Sequence, residues 1–253
     1  MFTDYFNIEK YYTIEQKLIR ESTINWVRRF VKPCIKECFK KSEPIPNITK
    51  ELSNIGAFGL IIPEKYGGMG ADFISYGLMM QELERGDTSF RVMSSIQTSL
   101  VMYAILNFGN EYQKEYYLPK LATGEYLGAF GLTEPNFGSN TSGMHCHFKE
   151  DNEHITISGS KMWIGNATTY DIAIVWAKDE LGNVRGIIVD TANTTNYNST
   201  LIEDKWSFRT SKTGELIFSE SRIPKSQLLS KTNSIKDAYN CLNIGRYAVR
   251  GEV

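Results

Sequence analysis

Apolar residues in the first half of the chain recur every three or four positions, which is the period of an amphipathic helix. From Ile14 to Phe39 this pattern is broken by Pro33, and a kink or helix break is predicted near Val31 and Lys32 because proline removes a backbone donor. Further helices are predicted over Thr49–Ile55, Phe73–Glu84, Met93–Phe108 and Glu111–Leu121, with a glycine-rich loop over Ile61–Gly70.

After Gly124 the pattern becomes alternating, as in strands with one buried face. The Asn- and Thr-rich stretch Thr191–Thr200 is predicted to be a surface loop, and the helical period returns from Ser234. Strands are predicted at Tyr126–Thr133, His154–Ser158, Ile172–Ala177, Val184–Val189 and Glu215–Phe218.

The predicted fold class is α+β, with three parts along the chain. Residues 1–125 form an all-α domain, residues 126–233 form an antiparallel β-barrel domain, and residues 234–253 begin a C-terminal helical domain that is truncated where the sequence stops.

Composition excludes several classes of protein. The charges nearly balance, with 28 Lys and Arg against 29 Asp and Glu, so no global field favours nucleic acid. No apolar run approaches the ~20 residues of a membrane span, and the first ten residues resemble neither a signal nor a transit peptide, so a cytoplasmic location is expected.

The cysteines do not indicate a disulfide framework or a metal site. Four scattered cysteines in a chain of 253 residues are expected to be reduced thiols. Cys34 and Cys38 lie on a predicted helix, and His145-Cys146-His147 would alternate between the two faces of a strand, unlike the spacing of a closed zinc site.

The strongest candidate chemistry lies in FGLTEPNFGSN, residues 130–140. Gly138 allows close approach of a ligand to the backbone and Ser139 adds a donor, as a pyrophosphate site requires. A long loop with a capping serine is the competing interpretation. A second segment, KMWIGN at residues 161–166, contains Trp163. A tryptophan in a strand is more often a core residue than a surface that covers a cofactor, so on its own it indicates a core position.

Taken together, FGLTEPNFGSN and GSKMWIGNA resemble the flavin-binding middle domain of the acyl-CoA dehydrogenase family. Within that family the chain is most similar to the glutaryl-CoA dehydrogenases. The matching segments run in order along essentially the whole chain, and they include IGAFGLIIPEKYGG at 55–68, YGLMMQELERGD at 76–87, YLPKLATGEYLGAFGLTEP at 117–135 and CLNIGRYAV at 241–249.

The resemblance implies an FAD site. Phe130, Leu132 and Thr133 would touch the flavin ring, with Gly131 among the cofactor-binding residues. Gly138 and Ser139 would lie near the pyrophosphate. Trp163 and Ile164 would cover one flavin edge, and Gly165 would lie beside the reactive N5. The family usually carries Thr or Ser where this chain has Gly165, and the missing hydroxyl removes one hydrogen bond, worth ~1 kcal/mol.

The resemblance also implies a binding site for an acyl-CoA. Arg91 matches the arginine that receives the distal carboxylate of glutaryl-CoA, but the neighbouring family serine is Val92 here. Arg246 would lie near the CoA-binding cleft, with Ser139, Leu242 and Asn243 nearby. A surface salt bridge for Arg91 and a helix-surface charge for Arg246 are the alternative interpretations.

The implied activity is FAD-dependent α,β-dehydrogenation of an acyl-CoA thioester, with hydride transfer to flavin N5. The family's catalytic glutamate lies in the C-terminal helical domain, so no catalytic residue is assigned to this chain. An electron-accepting flavoprotein and a tetramer completed by that domain are the implied partners. The alternatives are a catalytically inactive acyl-CoA- or flavin-binding remnant and one half of a split enzyme.

Overall fold

The N-terminal half of the protein is helical, as predicted. The computed structural model describes residues 5–250, with side chains through Ala248. The first helix, α1 (Ile14–Trp26), begins at a capping box in which Thr13 and Gln16 satisfy each other's backbone amides. A π-helical turn over Val27–Val31 then leads to Pro33, and α2 (Ile35–Lys41) follows, so the predicted break is confirmed.

Further helices follow along this half of the chain. Their bounds are α3 (Ile48–Asn54), α4 (Phe73–Gly86), α5 (Thr88–Ser95), α6 (Tyr103–Phe108) and α7 (Glu111–Ala122). A π-helical segment over Ile96–Met102 joins α5 to α6 without a break. The helix predicted to begin at Met93 therefore begins at Thr88, because the Asp87 side chain caps it by accepting a hydrogen bond from the amide of Ser89.

The second half is a curled seven-stranded sheet. Its strands are β1 (Gly128–Gly131), β2 (His147–Glu150), β3 (His154–Gly165), β4 (Ile172–Lys178), β5 (Val184–Asp190), β6 (Tyr197–Leu201) and β7 (Thr213–Pro224), in the order β1-β4-β2-β3-β7-β6 with β5 on β4. Most pairs are antiparallel, but β1 and β2 both run parallel to β4, so the sheet is mixed.

One predicted loop is a strand. Residues 197–201, within and just after the stretch predicted as loop, form β6, which pairs with β7. The side chains of this edge strand are all partly or fully exposed, so neither face needs apolar residues. The alternation of apolar and polar residues that predicts a strand is therefore missing here.

The last helix, α8 (Ile235–Arg250), lies against α4 and the π-helical segment. Ala238 and Cys241 are buried there, in the same apolar cluster as Trp176 of β4 and Leu118 of α7. This packing brings α8 to the edge of the sheet where β1 ends. Within residues 5–250, no helix is long and apolar enough to cross a bilayer.

Candidate flavin and acyl-CoA site

A cleft of about 400 Å³ opens where the end of β1, the end of β3, the π-helical segment and α8 meet. It is bordered by both segments that carried the family resemblance. Its walls are formed by Ile96, Leu100, Phe130, Leu132, Thr133, Gly138, Ser139, Thr141, Trp163, Ile164, Gly165, Tyr239, Leu242 and Arg246.

The chain leaves β1 through a tight, well-bonded turn. Glu134 and Phe137 exchange backbone hydrogen bonds of 3.2 Å across Pro135-Asn136. One residue earlier, the carbonyl oxygen of Thr133 accepts a hydrogen bond of 2.8 Å from the amide of Met162 on β3. The two segments that border the cleft are therefore joined directly through their backbones.

The loop after this turn has the donors that an anion needs. In the described part of the chain, the amides of Gly138, Ser139 and Asn140 donate to no protein acceptor. A β-carbon added to Gly138 would meet no atom within 4 Å, so a ligand can approach the backbone there. Successive free amides beside a serine hydroxyl suit a phosphate or pyrophosphate group, and these residues fit the pyrophosphate of a dinucleotide.

Trp163 faces outward into the cleft. The pairing of β3 with β7 is irregular between Lys161 and Ile164, and Trp163 has φ +63° within this bulge. A bulge changes the direction in which a side chain points, and the Trp163 side chain is 63% exposed. A core position for this tryptophan is therefore wrong, and its ring is available to cover a flat ligand.

Gly165 lies at the base of the cleft, beside Ile96 of the π-helical segment. A β-carbon on Gly165 would overlap the terminal methyl group of Ile96. The space that a hydroxyl-bearing side chain would use at this position is thus filled by a methyl group from another element.

Helix α8 forms the opposite wall. Leu242 and Arg246 face the cleft, and the hydroxyl of Tyr239 lies 2.6 Å from the Thr141 hydroxyl, which ties the helix to the loop after Gly138. Asn243 does not line the cleft, but its side-chain oxygen accepts a hydrogen bond of 3.0 Å from Arg246. Asn243 thereby orients the guanidinium at the rim.

Three other predicted site residues lie away from the cleft walls. Gly131 faces the sheet interior, where a β-carbon would meet Lys161 and Val175. Arg91 is buried, and its Nε donates a hydrogen bond of 2.9 Å to Glu84. Val92 follows it on α5, half-buried. The salt-bridge interpretation of Arg91 is correct as to pairing, but Arg91 itself is buried and Glu84 is only partly exposed.

Four residues of the cleft escaped prediction: Ile96, Leu100, Thr141 and Tyr239. Ile96 and Leu100 are presented by the π-helical segment, whose extra residue per turn changes which side chains share a face, so a 3.6-residue period could not place them. Tyr239 lies one helical turn before Leu242 on α8. The amphipathic pattern of this helix could therefore have predicted that both side chains share the face toward the cleft.

The titratable groups around the cleft are few. Among the described lining residues none carries a carboxylate, and Arg246 is the one charged side chain. In the same described range, no group of three or more His, Cys, Asp or Glu residues could hold a metal ion. Behind the cleft, burial raises the pKa of Cys146 to about 11, so this thiol is protonated at neutral pH.

The domain models and relatives agree with this architecture. The model of the acyl-CoA dehydrogenase N-terminal domain matches residues 13–125, and that of the acyl-CoA dehydrogenase middle domain matches residues 129–221. These matches cover most of the chain. The chain therefore belongs to the acyl-CoA dehydrogenase family.

Individual relatives are longer than this chain. An acyl-CoA dehydrogenase of Bacillus subtilis (strain 168) is 34% identical over 245 residues, which are 95% of this chain and 64% of that protein. A glutaryl-CoA dehydrogenase of Desulfococcus multivorans is 31% identical over 233 residues, which are 89% of this chain and 59% of the relative. The glutaryl-CoA dehydrogenase of Mycobacterium smegmatis, solved in complex with FADH2, superposes with a TM-score of 0.94 at 35% identity, covering 98% of this chain and 63% of that one.

Proposed function

We propose that the cleft binds FAD together with the acyl end of an acyl-CoA thioester, and that the protein takes part in FAD-dependent α,β-dehydrogenation. One observation carries the proposal most directly. The free amides of Gly138 and Ser139 and the apolar surface formed by Phe130, Leu132 and Trp163 border one continuous cleft. Such a cleft suits a ligand that has a phosphate part and a flat aromatic part.

The proposed contacts follow from what each group offers. The amides and hydroxyl around Ser139 would hold the pyrophosphate, while Leu132 and Thr133 would meet the ring system and Trp163 would cover its exposed edge. Trp163 would also keep water from that edge. When bound, FAD would supply the acceptor for the hydride that leaves the β-carbon of the thioester.

The proposed acyl-CoA contacts involve α8 and α5. Arg246 is held by Asn243 at the rim of the cleft. It suits the phosphates of CoA because a guanidinium can donate two parallel hydrogen bonds to one phosphate. Arg91 is the proposed receptor for a distal carboxylate, which would make a dicarboxyl-CoA such as glutaryl-CoA the substrate. Its pairing with Glu84 means that such a carboxylate would have to share or displace that partner.

The proton of the α-carbon requires a base that reaches it within hydrogen-bond distance. No described residue lining the cleft carries a carboxylate, so we assign this role to a glutamate of a C-terminal helical segment, as the family resemblance implies. That segment would also complete the FAD site and a tetramer.

Electrons would pass from the flavin to an electron-accepting flavoprotein. The four free thiols suit the reducing conditions of the cytoplasm.

A second candidate is an acyl-CoA- or flavin-binding module without turnover, or one half of a split enzyme. Two observations favour it. The described cleft walls lack a carboxylate, and Gly165 offers no hydroxyl to the ligand.

Anaerobic titration separates these candidates. The purified chain is loaded with FAD and mixed with glutaryl-CoA or butyryl-CoA while flavin absorbance is followed. Bleaching of the chain alone by either substrate would place the base within this chain and contradict its assignment to a C-terminal segment. Bleaching that requires an added C-terminal segment supports that assignment and, with it, a dehydrogenase or one half of a split enzyme. FAD binding without bleaching, even with that segment, supports the binding module, and a chain that binds neither FAD nor acyl-CoA contradicts both candidates.

A further inference from the structure

A buried ion pair lies directly behind the candidate site. Lys161 on β3 is fully buried, and its Nζ donates a hydrogen bond of 2.8 Å to Oε1 of Glu134. Glu134 is only 5% exposed. Removing two charges from water is costly, and an apolar pair of similar shape often stabilises a fold equally well. The presence of charges here therefore calls for a reason other than stability.

Each member of the pair also holds the backbone of a neighbouring segment. Lys161 Nζ donates to the carbonyl oxygen of Leu132 at 3.2 Å. The Glu134 carboxylate accepts hydrogen bonds of 2.7 Å from the amide of His145 and 2.9 Å from the amide of Cys146. An apolar pair would fill the same space, but it could not make these three directed bonds.

The segments held in this way are those that form the cleft. Leu132 borders the cleft itself, Lys161 precedes Trp163 by two residues, and His145–Cys146 ends the loop that begins at Gly138. Gly131 has a role here, since a side chain at that position would press on the stem of Lys161. The pair thus connects three cleft-forming segments from the side facing away from the ligand.

We propose that Lys161 and Glu134 are positioning residues that hold residues 130–134, 138–146 and 161–165 in the arrangement required for binding at the cleft. Neither side chain lines the cleft, so neither touches the ligand. The identity of the ligand rests on the proposed function, but the positioning itself does not.

Hydrogen exchange on the chain without any cofactor tests the positioning. The variants are Lys161→Met, Glu134→Gln and the double variant, in which no buried charge is left unpaired. The control is Ile157→Ala, which removes a fully buried side chain from the same strand without touching the pair. Exchange in residues 130–134 and 161–165 is compared with exchange in the second strand of the β4–β5 hairpin, residues 184–190, which does not pair with β1. All measurements are made well below the melting temperature of each variant.

The pair variants are expected to raise exchange in the cleft-forming segments by about tenfold relative to the hairpin, roughly the effect of losing one to two hydrogen bonds. Ile157→Ala is expected to raise both regions together. The proposal is overturned if the pair variants raise both regions equally or leave the cleft segments unchanged. Should a single variant fail to fold, the charge-balanced double variant gives the same comparison.

FAD affinity gives a second readout. If the wild-type chain binds FAD, the pair variants should raise the Kd about tenfold while Ile157→Ala leaves it unchanged, and an unchanged Kd in the pair variants would overturn the proposal. If the wild-type chain binds no FAD, the flavin site proposed above fails, and the exchange comparison still decides whether the pair positions the segments.

Discussion

The terminal methyl group of Ile96 occupies the place where a β-carbon would lie on Gly165. The two residues come from different halves of the fold, the π-helical segment and the end of β3. Gly165 is thus matched to its neighbour, and the absence of a hydroxyl there is built into the packing at the base of the cleft.

This relationship predicts non-additive substitutions. Gly165→Ser should destabilise the fold by about 1–3 kcal/mol, because it overpacks a filled site. Ile96→Val alone should cost roughly 1 kcal/mol, but in the double variant it removes the overlapping methyl group. Denaturant unfolding of all four proteins should therefore show a double variant more stable than Gly165→Ser, whereas simple addition of the two losses would show that the residues are independent.

Replacing Trp163 with glycine should destabilise the fold less than replacing it with alanine. Its φ of +63° is strained for any residue with a side chain, while glycine adopts it freely. Trp163→Gly should therefore be more stable than Trp163→Ala by about 0.5–1 kcal/mol, although both should lose FAD affinity equally. Melting and FAD titration of the two variants check this, and equal stability would argue against backbone strain at the bulge.

Arg91 and Glu84 should behave as a coupled pair. Arg91→Met removes this partner from Glu84, whose side chain is 25% exposed and still accepts a hydrogen bond from the Thr88 hydroxyl, so the loss should be about 1–3 kcal/mol. Adding Glu84→Gln should recover part of that loss. Urea unfolding of the wild type, the two single variants and the double variant measures the coupling. No recovery in the double variant would mean that Arg91 stabilises the fold through contacts other than the one with Glu84.

The pH dependence of stability should report on Glu134. Burial opposes its ionisation, but the hydrogen bond and charge of Lys161 and the amides of His145 and Cys146 outweigh burial, so its pKa lies below the usual value. A carboxyl with a depressed pKa stabilises the fold above its unfolded pKa, about 4.3, and this contribution is lost as the pH falls toward the folded pKa.

The matched comparison is with the double variant Lys161→Met/Glu134→Gln, which lacks this titration. The wild-type free energy of unfolding, minus that of the double variant, should stay constant from about pH 6 to pH 8 and decrease below about pH 4.5. The comparison cancels other acidic groups with lowered pKa values, such as Asp72 and Asp151. A difference that does not change on acidification would contradict the ionised state of Glu134.

Much of this arrangement could be predicted from the sequence because it depends on local signals. The helical and alternating periods predicted most of the elements and their order, and the motif around Ser139 predicted a loop that does border the cleft. The outward direction of Trp163 depends on a bulge set by pairing with β7, and the place of Ile96 depends on a π-helical turn. Both are consequences of tertiary packing that no single segment encodes.

The Arg91 environment shows the same limit. The helical period left Arg91 between the predicted helices Phe73–Glu84 and Met93–Phe108. The structure has it on α5, and its partner Glu84 lies on α4, beyond a cap at Asp87. Whether two residues seven positions apart meet depends on the angle between α4 and α5, which local pattern does not give. The pairing of β1 with β4 in parallel likewise follows from the path of the chain around the sheet.

FAD titration of the wild-type chain and of Gly138→Val tests the central claim most directly. A side chain at Gly138 would meet no protein atom, so the variant should unfold within about 0.5 kcal/mol of the wild type, yet it would block the approach of a pyrophosphate to the free amides. The account predicts saturable quenching of FAD fluorescence by the wild-type chain and a Kd at least about tenfold higher for the variant, a loss of ~1.4 kcal/mol. Equal binding by both proteins, or none by either, would contradict a flavin site at this cleft.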